Sequence, residues 1–178
     1  SGRRGSPRRD PLVPLVDHLP ESTLAFELPT PFPVGPVNCY VLLEEPVTVI
    51  DPGMLFGDTI ATVGTELAAV GLSVDDVDAV VVTHAHPDHY GTAGWLAEKA
   101  DAPIYAGRAE LPKLLETRDR QLLYELIRSF GIPEEMLGVF PVFYGAVKEW
   151  LHEIDESRVV PVDDGDILWL GGRQLEAM

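Results

Sequence analysis

Residues 84–89 bring three imidazoles and a carboxylate, His84, His86, Asp88 and His89, into the segment Thr83-His84-Ala85-His86-Pro87-Asp88-His89-Tyr90-Gly91. Imidazole combined with carboxylate is a donor set for zinc and related divalent ions. In an extended segment residues two apart project to the same side, so His84 and His86 can offer two imidazoles to one ion. Pro87 has no N–H and a φ already suited to the first turn of a helix. Asp88 and His89 then open that helix and point a carboxylate and a third imidazole back toward the same space. Gly91 and Gly94 let the helix backbone come close to its neighbours. An ordinary strand-to-helix turn with Asp88 as N-cap would use similar residue types. This fixed pattern, however, arises by chance on the order of once in ten thousand chains of this length, which favours a metal site.

The elements that must position these groups are legible on either side. Val80 to Val82 is a short β-branched run without polar alternation, the pattern of a strand buried on both faces. Upstream, Asn38–Glu44 and Val47–Ile50 are apolar runs parted by Glu45-Pro46, which predicts a hairpin ending at Asp51. Asp58 can cap a helix running to about Val70, with Ile60, Val63, Leu67 and Val70 at helical spacing and Gly71 closing it. Ser73-Val74-Asp75-Asp76 has the form of a capping box with Asp in place of Glu or Gln. Strand, helix, strand in this order predicts a right-handed crossover into a covered sheet.

The T-H-A-H-P-D-H segment resembles the H-x-H-x-D-H signature of the metallo-β-lactamase superfamily, and Val49-Ile50-Asp51-Pro52-Gly53 resembles that family's strand-ending Asp-x-Gly. The likeness is good over about Pro29 to Tyr105. It implies an α/β (α+β) fold, the αββα sandwich of that family, cut off after its first half and carrying a helical lid insert. By the same resemblance, His84 and His86 would share a first ion with a later histidine. Asp88 and His89 would share a second with a later aspartate and histidine. Asp88 would also help orient the nucleophile, the catalytic role. Asp51 would orient the histidine loop from behind the ligands; a turn aspartate bonding its own loop is the alternative. Pro52 stands where the family commonly has Thr, which removes a hydroxyl. The family continues beyond a point equivalent to Met178, so the resemblance implies a longer protein or a second polypeptide that supplies the remaining ligands. Zinc, as two ions, is the first choice for this donor set, with iron and manganese also within its chemistry.

Around this centre the chain divides into a basic arm at 1–10, expected to be disordered, and one domain at 11–178 with a helical insert at about 108–152. Leu12–Val16 and Ser22–Leu28 read as strands, the first placed at an edge by Pro14. His18 between them reads as a loop histidine. Pro29–Pro36 holds four prolines and runs as a stiff loop, from which the resemblance brings Phe32 and Val34 to the substrate. Tyr90–Ala100 reads as helix and Pro103–Ala106 as strand. Glu110–Phe130 reads as two amphipathic helices broken near Arg118-Asp119-Arg120, and Pro133 starts another. The insert is apolar enough to form a lid beside the metal or a homo-oligomer interface. His152 at its end reads as a surface histidine. Strands at 158–162, 166–170 and 173–177 follow, joined by Asp163-Asp164-Gly165 and Gly171-Gly172 turns.

A chain of 178 residues with 46% hydrophobic content can bury a sizeable core. No apolar run reaches the roughly 18 residues of a membrane span, so no membrane partner is expected and cytoplasmic residence is the default. Cys39, the one cysteine, sits among Val37, Tyr40, Val41 and Leu42 and reads as a small core residue. Net charge is −16, and beyond Asp10 the balance is 9 basic against 28 acidic side chains. Such a surface repels phosphate backbones, so a small-molecule substrate is expected rather than nucleic acid.

Metal-assisted hydrolysis is the chemistry implied, a hydroxide attacking a carbonyl at a zinc centre. Thioesters or related esters are the leading substrates, as in hydroxyacylglutathione hydrolases. β-Lactam or lactone hydrolysis is an alternative, as is the superfamily's nuclease branch, which the charge disfavours. A mononuclear iron persulfide dioxygenase shares the motif, whereas the redox di-iron relatives carry a carboxylate at the position of His86. A non-catalytic interaction domain is the reading that gains if the native chain ends near Met178.

Overall fold

The computed structural model describes residues 19–33, 35–115 and 148–178. The basic arm, the strand over 12–16, His18, Val34 and the insert over 116–147 lie outside the described residues.

A six-stranded mixed sheet carries the site. Its first strands, β1 (Thr23–Leu28), β2 (Val37–Leu42) and β3 (Thr48–Ile50), pair antiparallel in sequence order. Helix α1 (Thr59–Ala69) then leads to β4 (Ala79–Val82), which lies parallel to β3 with Val49 opposite Val80. Beyond it, β5 (Ile104–Gly107) and β6 (Val159–Val162) continue the sheet in parallel. A separate hairpin, β7 (Ile167–Leu170) with β8 (Arg173–Glu176), turns at Gly171-Gly172. Both glycines have positive φ, +57 and +67°, as a two-residue hairpin turn matching strand twist requires. The final three strands therefore divide between two sheets.

Val80 and Val82 of β4 are buried, as the β-branched run predicts, and Val81 is half-buried. Around them the core gathers Leu28, Val41, Val49 and Ile104 from the sheet, Val63 and Leu67 from α1, and Leu96 and Ala97 from α3 (Ala93–Ala100). Cys39 lies in this core, where burial pushes its thiol pKa up and keeps it unreactive. Helix α1 departs from expectation on its apolar face. Thr59, Val63 and Leu67, four residues apart, face the core, while Ile60 and Val70 are 39% and 41% exposed. One stripe of an eleven-residue helix covers the sheet; Ile60 flanks it, and Val70 is the C-cap residue beyond the helix end. Nor does the Asp58 side chain cap this helix. The capping box does form: the Asp76 carboxylate accepts from both the Ser73 N–H and hydroxyl at 2.7 Å, around a 3-10 turn at Val74–Asp76.

The expected helix over 90–100 divides into α2 (Pro87–Tyr90) and α3, with Gly91 and Thr92 between. Thr92 holds the break, its N–H and hydroxyl donating to Gly53 O at 2.9 and 3.2 Å and its hydroxyl also to Pro52 O at 2.6 Å. Downstream, a 3-10 turn at Arg108–Glu110 and α4 (Leu111–Leu115) are described from the start of the insert. The chain returning at 150–154 crosses the break closely. Trp150 O accepts the Leu55 N–H at 2.8 Å, and Gly91 O accepts the His152 N–H at 2.7 Å. A Cβ at Gly91 would lie 2.7 Å from both Met54 Cα and Trp150 O, and one at Gly94 would collide with Glu153 O. Backbone cannot yield as a flexible side chain can. Gly91→Ala is therefore expected to destabilise by roughly 1–3 kcal/mol, read as a lower denaturant midpoint with an unchanged slope.

Candidate metal centre

β4 ends at Val82, and the next residues leave the sheet as an irregular loop before α2. Side chains from the ends of both neighbouring strands hold that loop. From the end of β3, Asp51 Oδ1 accepts the Thr83 N–H at 2.9 Å and Oδ2 accepts the Thr83 hydroxyl at 2.6 Å. From beyond β5, Glu110 Oε2 accepts the Ala85 N–H at 2.8 Å. Asp51 is buried and adopts a φ of +52°, a backbone region that Asp tolerates better than most residues.

These hydrogen bonds determine which histidine nitrogens face the site. The Thr83 hydroxyl gives its proton to Asp51, so its oxygen accepts from His84 Nδ1, 2.9 Å away. His84 Nε2 then carries the lone pair. His89 Nδ1 likewise donates to Asp51 Oδ2 at 2.8 Å, leaving the lone pair on Nε2. One buried carboxylate thereby sets two tautomers, a common arrangement behind metal-ligating histidines.

Donor atoms of the four side chains converge, with His86 Nδ1 donating to the His84 Nε2 lone pair in the metal-free chain. His84 Nε2 and His86 Nδ1 are 3.0 Å apart, and His89 Nε2 and Asp88 Oδ2 are 3.8 Å apart. The His84 ring centroid lies 4.6 Å from that of His86 and 4.1 Å from that of His89. Two nitrogens bound to one tetrahedral zinc at about 2.0–2.1 Å stand roughly 3.3 Å apart, so the His84–His86 pair lies near that spacing and the His89–Asp88 pair is wider. Asp51, His84 and His89 also offer ligand atoms within 4.8 Å of one another. Both Asp51 oxygens are already engaged by Thr83 and His89, which supports an orienting carboxylate over a direct ligand.

Charge follows the same geometry. Burial lowers the pKa of His84, with His89 and His86 adding to the effect. The hydrogen bond to Asp51 raises that of His89 against the opposing effect of burial. In the metal-free protein the His89 ring is expected to titrate above about 6.5 and the His84 ring below it, and Asp51→Asn brings His89 down. Imidazole proton shifts followed by NMR against pH check this. His152 stands apart: its Nδ1 lies 3.0 Å from Glu153 O and its Nε2 3.7 Å from Glu98.

The expected site residues thus come together, His84 with His86 and Asp88 with His89, over Asp51. Sequence reasoning missed two contributors. Thr83 lay within the motif as an unassigned residue, and Glu110 is 25 residues from the amide it holds, in a segment whose pattern indicates only helix. Phe32 and Phe56 each pack edge-on against Trp150, with centroids 6.4 and 5.5 Å apart. Among the described residues no helix is long and apolar enough to cross a membrane.

A family model described as the metallo-beta-lactamase superfamily matches residues 32–172. Over 71 residues the chain is 38% identical to a Bacillus subtilis protein named probable metallo-hydrolase YqjP, covering 40% of this chain and 22% of that protein. It is 36% identical over 118 residues to exodeoxyribonuclease YycJ of Bacillus anthracis, covering 59% and 43%. The crystal structure of the metallo-beta-lactamase family protein TTHA1429 from Thermus thermophilus superposes with a TM-score of 0.70 at 25% identity, covering 87% of this chain and 50% of that one. The chain thus spans half or less of the length of these three relatives. With its histidine loop, the strand that presents it and most of its length inside the family match, the chain belongs to the metallo-beta-lactamase superfamily.

Proposed function

We propose that this chain carries the metal centre of a hydrolase acting on a small thioester or ester, with zinc as the metal. The observation that carries this is the approach of His84 Nε2 to His86 Nδ1 at 3.0 Å, beside His89 Nε2 and Asp88 Oδ2 at 3.8 Å. A divalent ion in such a site supplies Lewis-acid polarisation and hydroxide at neutral pH. The protein's part is to hold the donors. His84 and His86 would hold a first ion, and Asp88 and His89 a second, with the Asp88 carboxylate also orienting the attacking water. Asp51 keeps His84 and His89 in the tautomers that expose Nε2. The aromatic trio Phe32, Phe56 and Trp150 offers an apolar surface of the kind an acyl group would use.

Charge favours a small substrate, since 29 acidic against 13 basic side chains disfavour a polyanion. A nuclease is the second reading, favoured by the likeness to a protein named exodeoxyribonuclease. Assay of the zinc-loaded protein against acyl thioesters, a β-lactam, a lactone and single-stranded DNA separates them. Thiol release with DNA left intact is the expected result. DNA degradation without thioester cleavage would reverse the order of the two readings.

A further inference from the structure

We propose that Glu110 is a positioning residue for the metal loop, its carboxylate fixing the peptide that joins His84 to His86. This rests on the metal-binding reading of that loop. Past Val82 no strand pairing fixes the backbone, so the directions of the two imidazoles depend on how the intervening residue is held. Ala85 is that residue. Its side chain is buried, and its N–H donates to Glu110 Oε2 at 2.8 Å. Glu110 is itself restrained at the end of the 3-10 turn after β5, where Lys113 Nζ donates to its two carboxylate oxygens at 2.9 and 3.2 Å. Burial works against ionisation of Glu110, but the Ala85 amide, Lys113 and His84 outweigh it and lower its pKa. A charged acceptor makes the amide bond stronger than a neutral one would. Asp51 grips the loop at Thr83 from the β3 side, and Glu110 grips it at Ala85 from the β5 side. Removing the Glu110 acceptor should let one imidazole drift from its partner without touching a ligand.

Three variants test this: Glu110→Ala, Glu110→Asp, whose carboxylate is one methylene too short to reach Ala85, and Glu110→Gln, which keeps an acceptor oxygen. Cobalt affinity is read by competition with a chromophoric chelator, and loop order by hydrogen exchange of the Ala85 amide in the metal-free chain. Glu110→Ala and Glu110→Asp are expected to weaken cobalt binding about tenfold and to speed Ala85 exchange by a similar factor, with Glu110→Gln, which keeps the acceptor but not its charge, falling between them and the parent. Parent-like affinity and parent-like Ala85 exchange in both the alanine and aspartate variants would overturn the proposal. So would equal losses in Glu110→Ala and Glu110→Gln with Glu110→Asp parent-like, which would indicate a general charge effect. If the parent chain itself binds no cobalt, the metal reading falls and the exchange data alone decide whether Glu110 braces the loop. Should the alanine variant fail to fold, the aspartate and glutamine pair carries the same comparison.

Discussion

Replacing His86 with alanine is expected to lower zinc affinity by more than about 100-fold, beyond the 10–100-fold typical of residues that only support a ligand. The fold should survive. His86 is exposed at the entry to α2, so losing its side chain removes little buried surface, and surface changes of this kind usually shift stability by no more than about 0.5 kcal/mol. Ligand linkage sharpens the contrast. At a zinc concentration 100 times its Kd, the parent protein gains about 2.7 kcal/mol of stability, which the variant forfeits. Thermal unfolding with zinc and with a chelator should therefore give well-separated midpoints for the parent and coincident ones for His86→Ala. A variant midpoint that still rises with zinc, to the parent's extent, would place the ion elsewhere.

Asp51→Ala is expected to damage both stability and binding. Asp51 is 5% exposed and accepts from the Thr83 N–H, the Thr83 hydroxyl and His89 Nδ1. Without it these donors lose a charged acceptor, costing roughly 2–4 kcal/mol after Thr83, at the surface, regains some water. The tautomers of His84 and His89 are no longer held, and zinc affinity should fall a further 10–100-fold. Denaturant unfolding of the metal-free variant measures the first effect and chelator competition the second. Loss of stability with unchanged affinity would reduce Asp51 to a structural turn residue.

The contrast between these positions marks what was readable in the chain. The histidine loop was legible because its chemistry is local, as was β4, whose unbroken valines indicate burial without reference to any partner. Gly91 and Gly94 were legible as points of close approach, though nothing local identified Trp150 and Glu153 as what approaches them. Helix α1 was found, but the apolar pattern overcounted its buried face, because Ile60 flanks the stripe and Val70 lies at the C-cap beyond the helix. The continuous helix expected over 90–100 is broken by hydrogen bonds from Thr92 to Pro52 and Gly53, forty residues away in sequence. Glu110 was hidden for the same reason: its role exists only once parallel pairing has set the ends of β4 and β5 side by side.

X-ray absorption at the zinc edge tests the metal centre most directly. The zinc-loaded chain is expected to show imidazole scattering with Zn–N distances of about 2.0–2.1 Å, losing imidazole contributions in His84→Ala and His86→Ala. A shell of oxygen neighbours alone, or a spectrum that neither substitution alters, would contradict it.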